Sequence, residues 1–152
     1  MHPAADASEI KIRQAEIGDA AIIVRLIREL AEVENEHSPI TPSYTAYFLS
    51  QPNCHVLLAE KEDQIIGLLS YLMKPDLYHG SDTCLISELF VVKDFRGRGV
   101  GSALMEHLVH HLEASGCVEV SVSTMPHNQG AMNFYKGHGL VDEAVLLERH
   151  FK

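Results

Sequence analysis

The chain has 152 residues, 46% of them hydrophobic, and a formal charge of -9. That length suits one domain able to bury a core, and no apolar run approaches the roughly 20 residues that span a bilayer. The acidic balance and the lack of a basic stripe argue against nucleic acid or an anionic membrane as partner.

Residues 1–9 are small and polar and lack the basic and apolar regions of a signal peptide. The expectation is a flexible lead-in over 1–9, one domain over 10–152, and a cytoplasmic protein. Cys54, Cys84 and Cys117 cannot all pair; they read as reduced, buried thiols on strands. Neither they nor the ten histidines show a metal-binding pattern, although His107 and His111 are four apart on a helix. No metal is expected.

Ile10 to Ala15 alternates and predicts a strand. Gly18-Asp19 then offers a helix N-cap, and Ile23, Leu26, Ile27, Leu30 and Val33 follow at helical spacing. A short helix is expected over Pro42 to Leu49. Two strands come next, Cys54 to Glu60 and Gln64 to Met73, joined by the polar turn Lys61-Glu62-Asp63. Lys74 to Asp82 reads as a loop and Cys84 to Val92 as a strong strand. A helix from about Gly99 to Ser115 ends at Gly116. Cys117 to Thr124 is expected as a strand, Asn128 to His138 as a helix closed by Gly139, and Leu140 to Phe151 as one or two final strands. With neither repeats nor linkers, this order makes one α/β domain with a mixed sheet.

Between the strong strand and its helix lies Arg96-Gly97-Arg98-Gly99-Val100-Gly101. A strand, a glycine-rich turn and a helix start can bind phosphate through free N–H groups and the helix dipole. Glycine permits close approach, and Arg96 and Arg98 add charge-assisted contacts. A Walker P-loop is excluded because no Gly-Lys-Ser/Thr closes the turn. A dinucleotide fingerprint fits poorly, since the glycines are evenly spaced and late in the chain, although Glu119 lies near the acidic offset.

The segment resembles the Arg/Gln-x-x-Gly-x-Gly/Ala signature of GNAT superfamily N-acetyltransferases. The likeness extends upstream through Glu88 to Phe95 and downstream into Ser102-Ala103-Leu104. A second block fits in Asn128, Ala131 to Tyr135 and Gly139-Leu140. It implies a single-domain, mostly antiparallel sheet splayed at a central strand, with helices on both faces. Implied too is acetyl transfer from acetyl-CoA to a primary amine by direct attack on the thioester.

By that resemblance, backbone groups of Leu89, Phe90 and Val91 hold the pantetheine arm, and an N–H there steadies the oxyanion. The pyrophosphate sits on Arg96, Gly97, Arg98, Gly99, Val100, Gly101 and Ser102, while Asn128 and Ala131 contact the cofactor arm. Tyr135 is the expected general acid, since a phenol near pKa ~10 suits a leaving thiolate. Glu88, on the strand beside the arm, is the candidate base or substrate ligand; period-two alternation groups it with Phe90 and Val92. Structural roles stand beside each: strand core, surface charge, helix cap, packing aromatic and buried hydrogen-bond partner.

The first long helix looks like that of diamine (spermidine/spermine) acetyltransferases, with Glu29 and Glu32 as candidate contacts to a cationic acceptor. The Glu-Leu-x-Val stretch also looks like aminoalkylphosphonate acetyltransferases, in which a divalent metal takes part; His79 is the loop histidine to watch. A small-molecule amine is the preferred acceptor, with a protein or peptide amine, or a non-catalytic acyl-CoA-binding regulator, as alternatives. Many small members of the family pair, so a homodimer is expected by resemblance.

Overall fold

The computed structural model describes residues 9–151, so the expected lead-in over 1–9, apart from its last residue, lies outside the described residues. Four α-helices and five strands follow in chain order. These are β1 (Lys11–Gln14), α1 (Ala20–Val33), α2 (Pro42–Ser50), β2 (Cys54–Lys61), β3 (Gln64–Asp76) and β4 (Ser81–Val91). Then come α3 (Val100–Ser115), β5 (Val120–Val122) and α4 (Gln129–Gly137). The sheet runs in order β1-β2-β3-β4-β5. Every pairing is antiparallel except β4 with β5.

The sheet is buried on both faces, which explains why β2 and β3 read as continuous apolar runs. One face packs Leu57, Leu69, Tyr71, Cys84 and Ile86 against Leu104, Met105, Leu108 and Leu112 of α3. The other packs Val56, Leu58, Leu68 and Phe90 against Ile23 and Leu26 of α1, with Phe48 of α2 at its margin. Thr41 caps α2 by accepting from Tyr44 N–H at 3.1 Å. Asp19 precedes α1 but makes no side-chain cap to that helix. Its carboxylate instead accepts from Arg13 Nη1 and Nη2 at 2.9 and 3.0 Å, and from Glu16 N–H at 2.7 Å.

Four expectations need correction. Lys74 to Asp82 is mostly strand: Lys74–Asp76 pairs with Ser81–Thr83, and only residues 77–80 turn. Pro75 is tolerated because β3 there has outrun β2, whose pairing stops at Cys54 and Leu72. The final strands over Leu140 to Phe151 are absent; that segment has no regular structure, and residues 141–151 are exposed. Its apolar run Ala144–Leu147 has strand propensity, but a strand needs a neighbour to take its N–H and C=O groups, and none lies alongside. Likewise β5 covers only Val120–Val122, so Cys117 precedes it as loop, and among the cysteines only Cys84 is buried.

Candidate active site

The site begins where β4 and β5 part. Their pairing covers Cys84 to Ile86 and then stops, while β4 runs on to Val91. Among the described residues, Ser87–Val91 has a strand neighbour only on the β3 side. Val92 N–H donates to Ile66 C=O at 2.9 Å. The alternation of an antiparallel ladder therefore turns the backbone of Phe90 towards β3, and that of Leu89 and Val91 towards the open side. The Val91 carbonyl there accepts from Arg96 Nε at 2.8 Å. Leu89 N–H and C=O and Val91 N–H remain directed into the splay, whereas the Phe90 backbone belongs to the sheet.

Beyond β4 the chain makes a short 3-10 turn, Lys93–Phe95, and enters the glycine turn. Gly97 and Gly99 have φ of 76° and 84°, the left-handed region that penalises a Cβ. Gly99 is the residue before α3 and has no side chain to cap it; Ala103 N–H is the donor that reaches back to its carbonyl, at 2.9 Å. The N–H groups of Val100, Gly101 and Ser102 thus point out of the helix start as anion donors.

A Cβ at Gly101 would touch the Phe134 ring at 3.4 Å, an ordinary contact that places α4 over the start of α3. At Gly67 the fit is tighter, since a Cβ would stand 3.1 Å from the Phe90 carbonyl and 3.2 Å from Val100 Cγ1. Arg96 and Arg98 are drawn back over Phe90 and Phe95, with guanidinium carbons 5.4 and 5.3 Å from the ring centroids. Ser102 Oγ lies 3.1 Å from His138 Nε2, tying the end of α4 to the turn. His138 carried no signal in the sequence.

Asn128 caps α4 through Oδ1, which accepts from Ala131 N–H at 3.1 Å. That bond occupies the Ala131 N–H and leaves the Asn128 amide NH2 as a donor. Tyr135, on the same helix, is 9% exposed and belongs to the core cluster under α3 with Leu89 and Val91. Its hydroxyl makes no hydrogen bond among the described residues. Burial pushes its phenol up to about 12. The same apolar cluster holds Cys84, whose thiol burial also pushes up to about 12.

Glu88 faces the opposite side. Ser70 Oγ donates to Glu88 Oε1 and in turn accepts from Glu88 N–H at 3.0 Å. The pair sits at a β-bulge: Ser70 pairs with Glu88 but Tyr71 with Ile86, leaving Ser87 unpaired. Both residues line a cavity of about 300 Å³ between the sheet and helices α1 and α2, walled by Ile23, Ile27, Ile40 and Phe48. Glu29 and Glu32 do not line it; Glu29 pairs with Arg25 at 3.3 Å. Glu88 and Tyr135 thus approach the splay from opposite faces of the sheet.

His79 bonds Asp76 within its turn. Among the described residues no group of three or more His, Cys, Asp or Glu side chains is placed to hold a metal ion. No helix there is long and apolar enough to cross a membrane.

An α/β domain with a sheet splayed beside a glycine turn is the architecture of the GNAT acetyltransferases. An aminoglycoside acetyltransferase from an uncultured soil metagenomic sample superposes with a TM-score of 0.83 at 22% identity, over 95% of this chain and 97% of that one. The model of the Acetyltransferase (GNAT) family matches residues 22–140, and the chain belongs to that family of enzymes. Bovine thialysine N-epsilon-acetyltransferase is 30% identical over 145 residues, covering 88% of this chain and 85% of that protein. Aminoalkylphosphonate N-acetyltransferase of Salmonella typhimurium is 28% identical over 129 residues, covering 85% and 83%. The family read from the glycine turn and the Asn128–Tyr135 block is therefore the right one.

Proposed function

We propose that this enzyme transfers an acetyl group from acetyl-CoA to the primary amine of a small molecule. The observation that carries the reading is the splay at Ser87–Val91, with anion donors at one end, a buried unpartnered phenol on one face and a carboxylate on the other. The fit to a thioester of coenzyme A rests on that orphaned hydroxyl and on glycine-lined N–H groups with no side-chain cap. Acetyl-CoA supplies the acetyl group as an activated thioester.

The turn from Arg96 to Ser102 would hold the pyrophosphate, with Val100, Gly101 and Ser102 N–H as donors. Leu89 and Val91 would present main-chain groups to the pantetheine arm, and the Asn128 amide would donate to it. The Glu88 carboxylate takes a proton from the acceptor ammonium, and Ser70 holds that carboxylate in place. The Tyr135 hydroxyl gives a proton to the departing sulfur. The neutral amine attacks the thioester carbonyl, and the carbon–sulfur bond breaks. The second proton on nitrogen restores the Tyr135 hydroxyl and Glu88 releases its proton to solvent, so ammonium and thioester give amide, CoA thiol and one proton.

The names of the relatives support a small amine over a protein acceptor. The test is calorimetry with acetyl-CoA, followed by CoA release with polyamines, amino acids, aminoglycosides, aminoalkylphosphonates and peptides. Failure to bind acetyl-CoA would end the reading, and peptide-only turnover would move it to the protein-acetylating alternative.

The same reading includes a homodimer in the cytoplasm. β5 is an edge strand, and Val141, Val145, Leu146, Leu147 and Phe151 beyond α4 are more than half exposed; such an apolar segment calls for a partner. Light scattering should give twice the 16.9 kDa chain mass, and L146D/L147D should halve it. The three free cysteines fit a reducing compartment.

A further inference from the structure

The cavity at Glu88 says more about the acceptor than the acidic helix does. Its walls are mostly aliphatic and aromatic, with Ile23 and Ile27 from α1, Ile40 from the following loop and Phe48 from α2, while Ser38, Thr45 and Ser70 add hydroxyls. Among the described residues, its only ionisable lining groups are the Glu88 carboxylate and the phenol of Tyr44, which is 60% exposed. No lysine, arginine or histidine among the described residues lines it. Nearby Arg28 is engaged elsewhere, donating through Nη2 to the Ile40 carbonyl at 3.0 Å and so fixing the loop wall.

We propose that the acceptor is a monoamine with an apolar body, its ammonium on Glu88 and its alkyl or aralkyl chain along Ile23, Ile27, Ile40 and Phe48. This rests on the acetyl-transfer reading above and narrows it. Each excluded class fails on charge. A polyamine brings a second or third ammonium to a cavity whose lining offers one carboxylate, so the extra charges find no ion-pair partner there. An aminoalkylphosphonate or amino acid brings an anion that meets no cationic lining group and shares the space with Glu88. An apolar body meets a surface able to desolvate it, and about 300 Å³ is at the small end of ligand cavities. The chain thereby departs from the acceptors in its relatives' names.

The experiment is kcat/KM by CoA release for propylamine through hexylamine and 2-phenylethylamine, beside spermidine and 2-aminoethylphosphonate, with acetyl-CoA binding measured on the same protein. The expected result is a rise of about fourfold per added methylene until the cavity fills, with spermidine and the phosphonate at least tenfold below hexylamine. In I40E, which adds a second carboxylate to the wall, spermidine should gain at least tenfold relative to hexylamine. Retained acetyl-CoA binding reports that the variant is folded. A flat alkyl series, or spermidine or the phosphonate ahead of hexylamine, with acetyl-CoA binding intact, overturns this inference alone. Absent acetyl-CoA binding by the unaltered protein removes the acetyl-transfer reading and this inference with it.

Discussion

Tyr135→Phe separates catalysis from stability in one substitution. The hydroxyl is buried with no protein partner among the described residues, and an unsatisfied buried polar group costs about 1–3 kcal/mol. Removing it leaves the ring packing intact, so the ligand-free protein should gain about 1 kcal/mol, the lower end of that range. For a domain of this length that raises Tm by about 2–4 °C. General acid catalysis is worth about 10²–10⁴-fold, so kcat should fall by that factor while acetyl-CoA affinity stays within about twofold. Calorimetric melting, acetyl-CoA titration and CoA release with a fixed amine measure the three quantities. A lowered Tm would mean that the hydroxyl is bonded in the folded protein and the reasoning from an orphaned donor is wrong. Unchanged turnover would remove Tyr135 from the chemistry.

Glu88→Gln should lower kcat by about 10²–10⁴-fold at unchanged acetyl-CoA affinity, since it keeps an acceptor for Ser70 Oγ but cannot take a proton; CoA release and calorimetry check both halves. Gly99→Ala forces a side chain into a φ of 84° at the start of α3; the fold should lose about 1–2 kcal/mol by thermal melting, and acetyl-CoA affinity should drop with it. The Arg13 guanidinium holds the Asp19 carboxyl below its usual range. A lowered folded-state pKa gives stability that is present above the unfolded value of about 4 and lost as pH falls through the folded one. Asp19→Asn should therefore cost about 1.5 kcal/mol at pH 7, and denaturant melts of the two proteins should start to converge as pH falls below about 4 and meet only once it has passed the lower folded-state value.

The glycine turn and the α4 block were legible because their constraints are local. Gly97 and Gly99 are needed by their own φ angles, and Asn128 by the N–H of a residue three positions on. The helices α1 and α3 were legible by periodicity. What escaped depends on neighbours distant in sequence. Ser70 lies in an apolar run, and a lone hydroxyl there was the one available hint that something polar faced it. Leu140 to Phe151 looked like strand because propensity was read without a partner to pair with. Glu29 and Glu32 drew attention by charge, yet the cavity is lined from the same helix by Ile23 and Ile27, whose apolar character is indistinguishable from core.

The bulge at Ser87 decides which of these residues form a site. Below it, Cys84 and Ile86 point into the cluster under α3; above it, Leu89 joins that cluster, while Phe90 packs on the α1 side. Strict alternation from Cys84 would have kept Glu88 and Phe90 under α3, beside Tyr135. One extra residue reverses the parity, sending the carboxylate to the cavity and leaving the phenol in the opposite layer. The β4–β5 pairing ends at Ile86, immediately before that residue, so the opening in the sheet and the placing of Glu88 opposite Tyr135 begin at the same point of β4. Deleting Ser87 would make Ile86 and Glu88 consecutive, opposite Tyr71 and Ser70, so plain alternation would keep Glu88 on the cavity face while removing the bulge itself. In the reaction proposed above an acceptor and a thioester would meet from opposite sides of the sheet, which needs both the opening and the change of face that the bulge brings.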